Sequence, residues 1–469
     1  MFFTDITFLR FYLKTLVIIS ALVLSACSHF QSHPLTENAV QQLLHTPSVD
    51  QLMVQASKIK HPMLKALSFN LQDGLSPDEA AILAVLRNPE LRAIRDQQGI
   101  ANAQLLQAGL LPDPQISYSF SAPSAGTTVD TNNAFGIGLS WEVTALLWRQ
   151  NKISAANKHK NSVDLNIAWQ EWQFAQAAKL ATVQLIIYRK QLDLLQTMAQ
   201  RLEDNRVRIQ HAADQGLVTE LQRVAALSAK NLNDNNLLAV EHKIQQQQQR
   251  LKRAMGLSPD EIIRLQQDIN LTIHQNIPFY KELVKDLEHR RLDLMALKQG
   301  YESQEERLHV AILQQFPKIS IGFDHARDNS NLYTLGFGVS MTLPVFDRNQ
   351  GQIALDRATR QQLFDQYSNR LFQAKAEIAE LLVTMTSIDQ QIESVTRTIP
   401  DLMQLLKAYQ TAIAAGQVDV LNYYTIWNTL TQKKINVLSL TLQLKQAEIA
   451  LQIASGLYRL STNNLGKDQ

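Results

Sequence analysis

A segment of about 200 residues occurs twice in this 469-residue chain. Residues Phe135-Gly136-Ile137-Gly138-Leu139-Ser140 are answered by Leu335-Gly336-Phe337-Gly338-Val339-Ser340. Gly216-Leu217-Val218 is answered by Gly416-Gln417-Val418, and Met255-Gly256-Leu257 by Ser455-Gly456-Leu457. Pro114-Gln115-Ile116-Ser117 and Pro317-Lys318-Ile319-Ser320 match at an offset changed by one loop. A period this long is not a solenoid of small units. It is one large supersecondary unit duplicated, so each copy tests the reading of the other.

The unit opens on helix. Ser76-Pro77-Asp78-Glu79 has the form of a capping box with Pro at the first helical position, and predicts a helix running to about Leu110 before Pro112 and Pro114 break it. Beyond the break the period becomes two. Ile116, Tyr118 and Phe120 alternate with serines, and Phe135, Ile137, Leu139, Trp141 and Val143 alternate with Gly136, Gly138, Ser140 and Glu142. The second copy does the same with Ile319, Ile321 and Phe323, then Leu335, Phe337, Val339, Met341 and Leu343. Strict alternation means a sheet with two different environments on its faces. A soluble sandwich would cover the apolar face with a second sheet. Only four strands are predicted, in two hairpins far apart in sequence, and strands with one apolar and one small or polar face suit a membrane β-barrel. Four strands cannot close a barrel, and open edges in lipid strand backbone hydrogen-bonding groups. Other copies of the chain must complete it, which predicts an obligate oligomer.

The helices carry a second pattern. Ile378, Leu381, Met385, Ile388, Ile392, Val395, Ile399, Leu402, Leu406, Tyr409 and Ile413 step by three and four without a miss, a coiled-coil seam. Subtracting 200 gives Ala178, Ala181, Leu185, Tyr188, Leu192, Leu195, Ala199, Leu202, Arg206, Ile209 and Ala213, with Arg206 the one clear break. Leu180, Val183, Ile187, Leu194 and Met198 lie off that stripe, as on a helix with a neighbour on each flank. Pro400 predicts a kink. Each long helix turns, at Gly216 or Gly416, and returns through Leu237, Val240, Ile244 and Leu251 or through Leu430, Val437, Leu440, Leu444 and Leu451. A second Ser-Pro-Asp-Glu, at 258–261, predicts another helix start between the copies.

The N-terminus reads as a targeting segment. Arg10 and Lys14 precede an apolar stretch, Leu16 to Leu24, too short to span a bilayer, which needs ~20 residues. Leu24-Ser25-Ala26-Cys27 resembles a bacterial lipobox, in which Cys27 becomes the lipid-modified first mature residue. The alternative is an ordinary signal peptide with an incidental Cys, and Cys27 is the only cysteine of the chain. By analogy with Gram-negative lipoproteins, Ser28 after it favours the outer membrane. The expected divisions are a signal peptide over 1–26, a lipid-anchored tether over 27–74, a first repeat over 75–257, a connector over 258–277, a second repeat over 278–458 and a tail over 459–469. The formal charge of +2 and the absence of a Lys/Arg run argue against nucleic acid.

In order and duplication these elements resemble the TolC-like outer membrane efflux family, from about Ser76 to Tyr458. The specific segments are Asn88-Pro89-Glu90-Leu91, Ala108-Gly109-Leu110-Leu111-Pro112-Asp113-Pro114, the Gly-x-Gly strands and Gly-x-Val at both turns. The first two look closest to the branch serving heavy-metal resistance-nodulation-division (RND) pumps. The resemblance implies a mixed α and β fold: a long coiled-coil helical barrel, plus a transmembrane β-barrel of twelve strands completed by a homotrimer. It implies passive transport, powered by an inner-membrane pump through a periplasmic adaptor. In that family the helix-turn-helix tips form the entrance and meet the adaptor. They map onto Gly216, Leu217, Val218 and Thr219, and onto Gly416, Gln417, Val418 and Asp419. Some members narrow the entrance with paired Asp residues; here Asp214, Glu220, Asp419 and Asn422 are the candidates for a weaker acidic constriction.

Other motifs lead elsewhere only weakly. Gly136-x-Gly138 and Gly336-x-Gly338 lie inside strands, not at a strand-to-helix turn, so no phosphate loop is expected. The eleven His, His159 and His309 among them, read as solvated surface residues with no metal-ligand spacing. Met385 reads as packing on the seam. Trp141 and Trp148 suit either a membrane interface or ordinary packing. No catalytic set, metal site or cofactor is expected. Three functions fit: an efflux channel, a channel for type I protein secretion, and a lipid-anchored coiled-coil scaffold with no pore. The alternating strands disfavour the third, since a scaffold has no use for them.

Overall fold

The computed structural model describes residues 30–44, 54, 56, 61–64, 73–125, 131–266, 279–414 and 420–457. Cys27, the signal segment, Gly416 to Asp419, the connector beyond residue 266 and the tail lie outside them. The chain divides into two units, 1–47 and 48–469. In the first, α1 (Glu37–Leu44) is started by Thr36, whose hydroxyl accepts from the Ala39 N–H at 3.3 Å.

In the second unit the expected first helix is two. α2 (Pro77–Arg87) carries the predicted capping box: Ser76 Oγ accepts from the Glu79 N–H, and the Glu79 carboxylate accepts from the Ser76 N–H. It stops at Asn88 because Pro89 has no N–H to continue the ladder. Asn88 then caps α3 (Pro89–Gly109), its Oδ1 accepting from Glu90 and Leu91 N–H groups. After β1 (Gln115–Ser121) and β2 (Ala134–Glu142) comes α4 (Ala145–Asp214), whose 70 residues extend ~105 Å at 1.5 Å each. α5 (Glu220–Ala254) returns antiparallel to it.

The second repeat opens with short helices α6 (Tyr280–Val284) and α7 (Leu287–Arg290), then α8 (Leu292–Leu313). β3 (Lys318–Arg327) and β4 (Tyr333–Thr342) follow, then α9 (Gln350–Arg397), α10 (Ile399–Ala414) and α11 (Val420–Ser455). The break at Thr398, between α9 and α10, is the effect expected of Pro400.

The seam residues do the packing predicted of them. Ala178, Ala181, Leu185 and Leu195 of α4 bury against Val240, Ile244 and Leu251 of α5. Ile378, Met385, Ile388 and Ile392 of α9 bury against Leu440, Leu444, Ala447 and Leu451 of α11. The off-stripe residues Val183 and Ile187 pack on Leu442, so α4 joins the two repeats through its second flank. Arg206, the break in the seam, turns to Glu203 on its own helix at 2.7 Å.

The repeated glycine motifs have one structural meaning. Gly216, Gly256 and Gly456 have φ of 67°, 63° and 67°. At each, the glycine N–H bonds three residues back and the next N–H bonds five back, as from Leu217 to Ala212 at 2.8 Å and Leu257 to Lys252 at 2.8 Å. These are paired hydrogen bonds that close a helix with a left-handed residue. Gly256 and Gly456 also press on the helix junction of their own repeat. There Asn88 Nδ2 donates to Ala254 O at 2.9 Å, and Arg291 Nη1 to Ala454 O at 3.0 Å. The Asn-Pro-Glu-Leu segment is therefore a joint of the fold. In the second copy Arg291, fully buried, is neutralised by Asp293 at 2.6 Å, which Arg370 also contacts at 2.7 Å. Burial pushes the Asp293 carboxyl up, but the two guanidiniums bring it to a net position below its ordinary value.

Three expectations need correction. The Ser258-Pro259-Asp260-Glu261 segment starts no helix; Glu261 N–H bonds Ser258 O in a turn, and its carboxylate pairs with Arg87 at 3.7 Å. The chain then pairs with the entry to α2 through a parallel bridge, Leu75 to Leu265. The segment expected to be a mere tether, 27–74, is partly built into the fold: besides α1, Ala56 and Leu64 are buried in the cores, and His61 binds α4. His61 Nδ1 accepts from Met63 and Leu64 N–H groups, leaving Nε2 to donate to Ala168 O at 2.9 Å. Burial lowers its pKa, which suits this neutral form. His159 is half-buried, and burial together with Arg307 lowers its pKa; His309 is exposed, as expected.

Candidate functional site

The four strands form one antiparallel sheet in the order β1-β2-β3-β4. β2 pairs with β3, so two hairpins distant in sequence become neighbours. The register keeps the large apolar side chains on one face. Ile116 opposes Leu139, Tyr118 opposes Ile137, Leu139 opposes Phe323, Trp141 opposes Ile321 and Phe323 opposes Phe337. The phenylalanine rings of the last pair meet at 5.3 Å.

The other face is small. Ser117 opposes Gly138, Ser119 opposes Gly136, and Gly322 lies between Ser140 and Gly338. The glycines leave room for polar neighbours: a Cβ on Gly138 would lie 2.6 Å from Ser117 Oγ, and one on Gly336 would lie 2.5 Å from Asp324 Oδ1. Small side chains and one row of polar oxygens are what a water-facing wall needs.

Among the described residues the strands pack chiefly on one another, and no helix is laid across either face. Leu335 is 83% exposed and Ile116 78%. About fifteen large apolar side chains stand on this face, and burying one is worth ~1.5–3 kcal/mol. Most of them are half-exposed or more, so leaving them in water forgoes about 10–20 kcal/mol, as large as the ~5–15 kcal/mol net stability of an ordinary domain. A soluble sheet is excluded on that ground, and the face requires an apolar solvent. β1 and β4 are both edges without a strand partner. No described helix is long and apolar enough to cross a membrane.

Both tryptophans in question serve the fold at the sheet's root. Trp141 Nε1 donates to Pro112 O at 2.7 Å, and Trp148 is buried.

The first tip stands at the far end of α4. Gly216 closes the helix in open space, with no atom within 4 Å of where a Cβ would lie, so its conformation alone demands glycine. Thr219 caps α5 in a capping box with Gln222, 2.9 Å and 3.3 Å for its two hydrogen bonds. Leu217 is 73% exposed, and Leu221 and Val224, which sequence reading missed, are exposed beside it. The acidic residues do not stand free. Arg223 binds Glu220 through both guanidinium nitrogens and holds its carboxyl below the usual range. Asp214 accepts from Gln210 at 2.8 Å and also acts on Arg223. The structure thus joins Asp214, Glu220 and Arg223 in one cluster. The i,i+3 spacing of Glu220 and Arg223 was the signal for it.

At the second tip Asn422 is exposed, while Gly416 to Asp419 lie outside the described residues. Just behind it, Tyr423 is buried, and its hydroxyl receives hydrogen bonds from Gln410 at 3.1 Å and from Arg201 of α4 at 3.3 Å. The Arg201 guanidinium also lies 4.2 Å over the Trp427 ring. One cation of the first repeat therefore ties down the second tip.

Comparison with known proteins follows the same lines. Residues 283–457, nearly the whole second repeat, match the family described as outer membrane efflux protein. The matched segment is thus similar to outer membrane efflux proteins of the TolC-like kind. Its relative "Probable outer membrane lipoprotein SilC" of Salmonella typhimurium is 24% identical over 177 residues, 36% of this chain and 38% of that protein's length. The fold is that of solved outer membrane channels. VceC of Vibrio cholerae superposes with a TM-score of 0.67 at 17% identity, covering 81% of this chain and 96% of VceC. For CmeC of Campylobacter jejuni the values are 0.68, 16%, 92% and 95%. For CusC they are 0.65, 17%, 86% and 99%. The chain thus has the fold of these channels, with a helical barrel segment and a four-stranded share of a β-barrel.

Proposed function

We propose that this protein is the outer membrane channel of a tripartite efflux system. It spans the outer membrane, extends into the periplasm, and passively exports small molecules or metal ions. An inner-membrane pump, of the RND type, delivers them through a periplasmic adaptor. The observation that carries this reading is the sheet: an uncovered apolar face backed by glycine and serine, with two open edges. Three copies joined edge to edge would close twelve strands around water and satisfy every edge.

The exposed Leu217, Leu221 and Val224 around Gly216 support an adaptor contact at the first tip. By the duplication, Gly416, Gln417, Val418 and Asp419 are assigned the same role at the second tip. A heavy-metal substrate branch is favoured by the Asn88–Leu91 and Ala108–Pro114 resemblances. Any carboxylate at the entrance would be repeated around the trimer axis, concentrating its field. With Glu220 held by Arg223 and Asp214 in the same cluster, Asp419, near the neutral Asn422, is the stronger candidate for that constriction.

Purified full-length protein in planar bilayers should give discrete conductance steps. Absence of any step, even in variants substituted at Arg201 to loosen the second tip, would remove the channel reading and leave the scaffold. We also assign lipid anchoring to Cys27. Cys27→Ser should abolish incorporation of labelled fatty acid, and labelling that persists refutes the anchor.

A further inference from the structure

The hairpin end of the sheet carries a cluster that transport does not use. Along the apolar face of β3 the series Ile319, Ile321, Phe323 gives way to His325 and Arg327. Arg327 stands in register between Phe135 of β2 and Tyr333 of β4. Its guanidinium lies 4.9 Å over the Phe135 ring, His325 stacks on Tyr333 at 5.9 Å, and Phe135 meets Tyr333 edge-on at 6.4 Å. Arg327 Nη2 donates to Asn133 O at 2.7 Å, which fixes the guanidinium plane. Its Nε is shielded from solvent and has no acceptor.

No carboxylate among the described residues is within ion-pair distance of Arg327. Asp328 is occupied in its own turn, accepting from Ser330 and Leu332 N–H groups at 2.8 and 2.9 Å. Asp324 is on the opposite face, over Gly336. A cation on the lipid side of a barrel costs ~2–4 kcal/mol at mid-bilayer and about zero at the interface. Arg327 lies eight residues from Ile319, ~26 Å along the strand at ~3.3 Å per residue. It therefore marks the upper rim of the apolar band, among the aromatic residues that characterise such rims. Both described hairpin connections leave the sheet at this end, and the helices join it at the other.

We propose that Arg327, flanked by His325 and the Phe135 and Tyr333 rings, binds the phosphate of a lipid headgroup in the leaflet remote from the helices. A guanidinium with a fixed plane and no counter-ion among the described residues is matched by the oxygens of a phosphate monoester. The rings beside it cover the first carbons of the same lipid. The proposal rests on the reading that this sheet spans a bilayer.

The test uses the full chain, purified in detergent, with bisphosphorylated lipid A as the probe and its dephosphorylated form as the control. Native mass spectrometry should show preferential retention of the phosphorylated lipid. Arg327→Gln should lower that retention about ten-fold, the size of one charge-assisted contact of ~1.4 kcal/mol. Equal retention by the variant, or displacement of lipid A by an equal concentration of inorganic phosphate, overturns the proposal. Carbonate extraction of reconstituted wild type separates the two layers. Extraction would sink the membrane reading itself, whereas firm insertion with unchanged retention in Arg327→Gln sinks only the lipid site. Should that variant not insert, photoreactive lipid A on wild type decides: adducts on the peptide 318–343 support the site, and adducts only elsewhere refute it.

Discussion

Gly216 and Gly256 adopt nearly the same backbone conformation for the same local reason, yet their surroundings differ. A Cβ at Gly216 meets only the strain of φ near 67°, about 1–2 kcal/mol. A Cβ at Gly256 would also lie 2.8 Å from Arg87 O and 2.9 Å from Pro89 Cδ, both on the helix junction it caps. Overpacking there adds about 1–3 kcal/mol. Gly216→Ala should accordingly speed hydrogen exchange at the tip while leaving the unfolding midpoint in detergent almost unchanged. Gly256→Ala should lower that midpoint clearly. Equal shifts in the two variants would refute the distinction between a cap in open space and a cap at a joint.

At the scale of elements, α4, α10 and α11 meet near the second tip. α4 pairs with α5 through its seam and touches α11 through Val183 and Ile187, so it packs against both repeats. Near the second tip its Arg201 joins Tyr423 and Trp427. The remaining packing of that hairpin is the Leu406, Tyr423 and Leu430 cluster. Arg201→Ala should leave the fold intact but free the second tip. Faster hydrogen exchange over residues 420–430 and longer open times in bilayers are expected. Unchanged exchange there would mean that the hairpin is held by its apolar cluster alone.

At the scale of the whole molecule the two sheet faces should respond oppositely to the same substitution. Phe337 is on the apolar face and Ser340 on the small one. Phe337→Lys carries about 2–4 kcal/mol of transfer cost into lipid and should reduce assembly into membranes, read as the heat-resistant oligomer on a gel. Ser340→Lys should assemble normally and alter single-channel conductance or ion selectivity. Normal assembly of Phe337→Lys would contradict a lipid-facing sheet.

Sequence alone determined the elements whose signal is local and periodic. The alternation around Gly136 and Gly336, the seam from Ile378 to Tyr409 and the Ser76 capping box depend on side-chain period and neighbouring backbone groups, which any stretch of chain displays. Duplication strengthened the first two. The same local logic misled at Ser258, where a capping pattern had no amphipathic helix behind it and Arg87 drew Glu261 into a turn. It also missed the stop at Pro89. Only tertiary structure decided the pairing of β2 with β3, the seating of His61 on α4, and the reach of Arg201 to Tyr423 across 222 positions. Such contacts depend on which surfaces meet after the chain has closed large loops, and no window of residues contains that information.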